Sequence, residues 1–129
     1  MNILLTNFHP GNGGGHTTYL NYLFKSFLSS EQIDNVYIAA PKKSRVNRDI
    51  KKTYPSKVFD IDFPGKLKDI VKIFDSAKKL EKIISKYGID LVHVNGTPDH
   101  KVIMLYKLLY RLNFQIIRTK HDSSNIKIN

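Results

Sequence analysis

Asn2-Ile-Leu-Leu-Thr-Asn-Phe-His-Pro-Gly-Asn-Gly-Gly-Gly-His16 is the stretch that decides the fold. A short apolar run, Ile3-Leu4-Leu5, leads into a glycine-rich turn. From Thr17 the apolar residues recur at Leu20, Leu23, Phe24, Phe27 and Leu28. That spacing is one face of an amphipathic helix. A buried strand, a glycine turn and a helix therefore follow one another.

The same unit repeats downstream. Val36 to Ala40 reads as a second strand, stopped by Pro41. Val58 to Phe63 alternates, with Phe59, Ile61 and Phe63 on one side, and reads as a short third strand near an edge. Pro64-Gly65 precedes a long helix over residues 67–87. Its stripe is Leu67, Ile70, Val71, Phe74, Ala77, Leu80, Ile84 and Tyr87, and Gly88 stops it. Leu91 to Val94 is a fourth strand, 99–112 a helix, and Phe114 to Arg118 a fifth strand. Nine of the eleven residues from Val102 to Leu112 are apolar, which predicts a helix packed on two sides. Ser123 to Asn129 is a polar tail without assignable structure. The fold class is α/β: a Rossmann-like, three-layer domain with a mostly parallel sheet of about five strands and right-handed crossovers.

The chain has 129 residues, enough for one domain with its own core. It has no cysteine, which removes disulfide scaffolds, thiol nucleophiles and cysteine metal sites. No two histidines have metal-ligand spacing on one element, so no metal is expected, nor any cofactor. No segment reads as a signal peptide or a membrane span, so the expected location is cytoplasmic. The net charge is +10, from 21 basic and 11 acidic residues. Seven basic residues lie between Lys42 and Lys57, and more surround the stripe of the long helix. Such a field suits a solvated face or an anionic membrane surface, with peripheral contact on the inner leaflet. No nucleic-acid motif accompanies it, so nucleic acid is not an expected partner.

In open parallel sheets, ligands bind beyond the carboxyl ends of the strands. Gly13, Gly14, Gly15 and His16 follow the first strand there. Glycines let backbone amides approach a phosphate or sugar, and a helix N-terminus favours an anion. The dinucleotide fingerprint does not match, because His16 stands where it wants glycine and Pro41-Lys-Lys43 where it wants an acid. An NADP site, with those lysines on a 2′-phosphate, stays open on this reading. The P-loop lysine is also missing. Asn95 and His100 follow the fourth strand, whereas Pro98 and Asp99 are accounted for as the first turn of a helix. His93 within that strand reads as a packed histidine. Arg118 and His121 close the fifth strand at the same mouth.

Taken in order, Met1-Asn-Ile-Leu-Leu-Thr-Asn-Phe, the glycine loop with His16, Ile89-Asp-Leu-Val-His-Val-Asn and Arg118-Thr-Lys-His121 resemble the N-terminal domain of GT-B glycosyltransferases. The nearest group looks like the retaining, nucleotide-sugar-dependent bacterial enzymes of the glycosyltransferase family 4 type. The resemblance covers residues 1–122 and implies an acceptor-side domain. It implies donor phosphate and sugar contacts at Gly13, Gly14, Gly15 and His16, and a catalytic contact with the donor sugar at His121. Asn95, His100 and Arg118 fall on the acceptor side. The implied activity is transfer of a sugar from a nucleoside diphosphate sugar to a hydroxyl of a lipid-linked or saccharide acceptor, in surface polysaccharide or glycolipid synthesis. The family's nucleotide-binding domain, with its paired glutamates, has no counterpart in these residues. The chain is therefore expected to be incomplete and inactive without that domain or a partner subunit that supplies it. The alternative is a non-catalytic, Rossmann-type domain that binds phosphate or nucleotide, or serves in interaction.

Overall fold

The computed structural model describes residues 1–11, 14–64, 67–110, 114–119 and 126–128. Five strands are parallel: β1 (Asn2–Thr6), β2 (Asn35–Ala40), β3 (Val58–Asp60), β4 (Leu91–Val94) and β5 (Gln115–Thr119). The sheet order is β3-β2-β1-β4-β5, extended by β6 (Ile126–Ile128), which runs antiparallel to β5. Four helices connect the strands: α1 (Gly14–Leu28), α2 (Arg45–Thr53), α3 (Ile70–Tyr87) and α4 (Thr97–Tyr110).

Alternation along β1 divides the core in two. Ile3 and Leu5 face α1 and α2, where they pack with Leu20, Phe24, Val46 and Ile50. Leu4 faces the opposite layer of α3 and α4, with Leu80, Ile84, Ile103 and Tyr106. Burial on both faces explains why β1 and β2 read as nearly continuous apolar runs.

Local chemistry fixes the ends of the elements. Ser44 caps α2, its Oγ accepting from the Asn47 amide and donating to the Pro41 carbonyl. Gly88 ends α3 in the left-handed region, at φ +60°. Asn2 clasps that end, its Nδ2 donating to the carbonyls of Tyr87 and Gly88, while its backbone amide donates to Asp90.

The structure corrects the sequence reading at five places. The third strand ends at Asp60; Ile61 still donates to the Ala40 carbonyl, but Phe63 is buried outside the sheet. Residues 45–53, read as part of a basic stretch, form α2. The polar tail contains β6, because Arg118 and Thr119 offer it a partner. The stripe of α3 is covered only from Ala77 onward; Ile70 and Phe74 are exposed, and Val71 is 79% exposed. The outer side of the first turns of α3 faces solvent, while Ile73 and Ser76 on the inner side hold them to the core. The apolar α4 buries Val102, Ile103 and Tyr106, yet Met104 is 44% exposed, so two-sided packing is not seen among its described side chains.

Leu80→Ala should cost about 2–5 kcal/mol, since Leu80 is fully buried. Val71→Ala should change stability by less than about 0.5 kcal/mol. Urea denaturation of the two variants reads the difference.

Candidate functional site

The order β3-β2-β1-β4-β5 places a topological switch point between β1 and β4. Connections leave in opposite directions there, which opens a crevice beyond the carboxyl ends of these two strands. The loop after β1 forms one lip and the β4–α4 turn the other.

A buried polar cluster holds the lips together. The Thr6 hydroxyl donates to Asp99 Oδ2 at 2.6 Å, and the Asn95 amide donates to the same oxygen at 2.9 Å. Asn95 Nδ2 returns to the Thr6 carbonyl at 2.7 Å. Thr6, Asn95 and Asp99 are all buried. Burial pushes the Asp99 carboxyl above the ordinary carboxylate range, and the hydrogen bonds from Thr6 and the backbone only partly oppose it.

The first residues after β1 are tied by hydrogen bonds of their own. Asn7 donates to the Ala39 carbonyl from its backbone and to the His9 carbonyl from its side chain. His9 Nδ1 accepts from the Gly11 amide, and the Gly11 carbonyl accepts from the Arg45 amide at the start of α2. Across the crevice the Phe8 ring covers Gly96. A Cβ added at Gly96 would lie 2.3 Å from that ring, so the absent side chain permits the contact.

The expected site residues fall as follows. Gly14, Gly15 and His16 open α1 at the crevice, and Arg118 lies at the end of β5, in register with Val94. His100 is in the first turns of α4, its amide donating to the Gly96 carbonyl, and Asn95 is part of the buried cluster. Gly13 and His121 lie outside the described residues. His93 is buried, with its ring 6.4 Å from that of Tyr19.

The structure also shows a cavity of about 390 Å³ at the strand ends that the sequence did not reveal. Phe8 and Pro10 from the β1 loop, Pro41 after β2 and Pro98 of α4 form its apolar wall. Asp62, Asp69 and Lys72 add polar groups from the chain around the start of α3. Neither Asn95 nor His100 lines it. Prolines and aromatics scattered over four loops read as turn punctuation in sequence; only the fold gathers them.

The fold is shared with two solved structures of GT-B glycosyltransferases. The chain is similar to MurG from Acinetobacter baumannii, with a TM-score of 0.65 and 16% identity over 92% of this chain and 34% of that one. It is similar to sucrose-phosphate synthase from Thermosynechococcus elongatus, with a TM-score of 0.66 and 19% identity over 94% of this chain and 33% of that one. The chain thus spans about a third of the length of each. No protein-family model and no curated protein sequence matches it.

The Asp99 shift has a measurable consequence. A folded-state value above the unfolded one means the folded protein holds its proton more tightly. The stability this contributes is present below the unfolded value, about pH 4, and is lost as pH rises through the higher folded value. Asp99→Asn should remove that decline. The melting-temperature difference between the native protein and the variant, followed from pH 3.5 to 8, should shift steadily in favour of the variant; parallel curves would refute the burial effect.

Proposed function

We propose that this chain is the acceptor-side domain of a GT-B glycosyltransferase whose nucleotide-binding half lies outside these 129 residues. The observation that carries the reading is the crevice at the β1–β4 switch point, built on a fold that matches a third of two such enzymes. The reaction is transfer of a sugar from a nucleoside diphosphate sugar to an acceptor hydroxyl, in synthesis of a surface polysaccharide or glycolipid. Departure of the diphosphate builds negative charge. Gly13, with Gly14, Gly15 and His16 at the start of α1, meets that charge with backbone amides and the positive end of the helix. His121 contacts the donor sugar. His100 and Arg118 serve the acceptor side, and Asn95 holds the β4–α4 lip that carries His100.

One domain alone walls only half of the cleft and leaves a ligand largely in water, where charged contacts lose most of their strength. It also leaves water at the reacting centre. The chain alone should therefore transfer no sugar, and a complementing nucleotide-binding domain should restore turnover. In that reconstituted enzyme, His121→Ala should lower kcat by about 10²-fold or more. Gly14→Val should weaken donor use, because its branched side chain stands where the phosphates approach. Full activity of both variants in steady-state kinetics would remove the cleft assignment.

The acceptor side is also proposed to sit on an anionic membrane surface. Among the described residues no helix is long and apolar enough to cross a membrane. Instead, exposed Ile70, Val71 and Phe74 stand among Lys68, Lys72 and Lys78 at the start of α3. Apolar side chains dip into the interface while the lysines meet lipid phosphates, at about 1 kcal/mol per basic residue. Co-sedimentation with phosphatidylglycerol vesicles should be lost in Val71→Glu and in high salt. Equal binding to neutral phosphatidylcholine vesicles would refute the electrostatic part.

A further inference from the structure

A second concavity lies on the other layer of the domain, between α1 and α2. It has a volume of about 460 Å³, within the range of roughly 300–1,000 Å³ typical of small-molecule sites. It shares no lining residue with the cavity at the strand ends. Its base is apolar: Phe24 and Ile50 are buried, and the Tyr54 ring sits 5.6 Å from that of Phe24. Tyr54 itself is 38% exposed, so part of its ring is open to a ligand.

The charge on this groove is unbalanced. Lys25, Arg45 and Lys52 line it against one carboxylate, Asp49. Asp49 is already engaged, its Oδ2 3.3 Å from Arg45 Nε. Lys25 and Lys52 come from different helices, and neither has an ion pair among the described residues. Two such ammonium groups on one concavity favour a ligand that brings its own negative charge.

The remaining lining narrows the class of ligand. Asn21 spends its Nδ2 on the Thr17 carbonyl, which leaves its Oδ1 as an acceptor. Thr53 adds a hydroxyl on the α2 side. The C–H face of a sugar ring, slightly positive, packs on the negative face of an aromatic ring. We propose that the groove between α1 and α2 binds an anionic saccharide, a sugar bearing a phosphate or a carboxylate, held by Lys25 and Lys52 with its ring against Tyr54. A bare anion would leave Tyr54 and Asn21 unused, and a neutral sugar would leave both lysines without a counter-charge. The site stands apart from the cleft and does not depend on it.

The test is an amide chemical-shift titration of the 129-residue chain. Glucose 6-phosphate and glucuronate are the probes, with glucose and inorganic phosphate as comparisons. The anionic sugars should perturb the amides of Asn21, Lys25, Lys52 and Thr53, and the tighter of the two identifies the acid. Glucose and phosphate should each bind at least about tenfold more weakly. Lys25→Ala with Lys52→Ala should weaken the anionic sugars at least about tenfold, whereas Lys72→Ala, at the other cavity, should not. Both replaced lysines are exposed, so the double variant keeps the fold. Unchanged affinity in the double variant would overturn the proposal. So would phosphate binding as tightly as the sugar phosphate, or shifts confined to the strand-end cavity.

Discussion

Everything at the strand ends hangs on one buried oxygen. Asp99 Oδ2 takes hydrogen bonds from the Thr6 hydroxyl and the Asn95 amide, and so ties the end of β1 to the end of β4. A carboxylate placed where water cannot reach it costs free energy unless donors surround it. Thr6 ends β1 and Asn95 directly follows β4, so both donors come from the ends of the two central strands. The cluster therefore converts a liability of burial into a fixed distance between the lips of the crevice. Phe8 over Gly96 and the Asn7–His9–Gly11 bonds elaborate that frame.

Much of this was legible in sequence because it rests on periodicity. Ile3-Leu4-Leu5 and Val36 to Ala40 are buried on both faces, and α1 shows one clean apolar stripe, so strands and helix could be read directly. The glycine loop and the β4–α4 turn followed from position alone. What escaped has a physical reason in each case. In α2, Val46 and Ile50 hold the helix to the sheet, but seven surrounding cations mask the pattern. In α3 the apolar spacing continues past the edge of the surface it covers, and spacing carries no information about where the sheet ends. Strand β6 is specified by its neighbour rather than by its own three residues. Asp99 read as a simple helix-start acid, because its partner Thr6 lies 93 positions away.

The two helical layers divide the chemistry of the surface. The α3 side presents apolar residues fringed by lysines, and the α1–α2 side presents a charged concavity with an aromatic wall. A common layer arrangement constrains volume and period; it leaves exposed positions free, and specificity is written there.

The place of β1 has a consequence for the birth of the chain. Of the strands in this sheet β1 comes earliest in the chain, and it receives β2 some 33 residues later, in the register Asn2 to Asn35. Its other edge waits for β4, in the register Ile3 to Leu91. Until then Leu4 has only part of its eventual cover, and Asn2 lacks the carbonyls of Tyr87 and Gly88. Contacts so distant in sequence pay their loop-closure cost before they return anything. On the ribosome, β1, β2 and α1 can associate early as one unit. The lips of the crevice need Thr6 and Asp99 together, so they cannot close before the chain has reached α4.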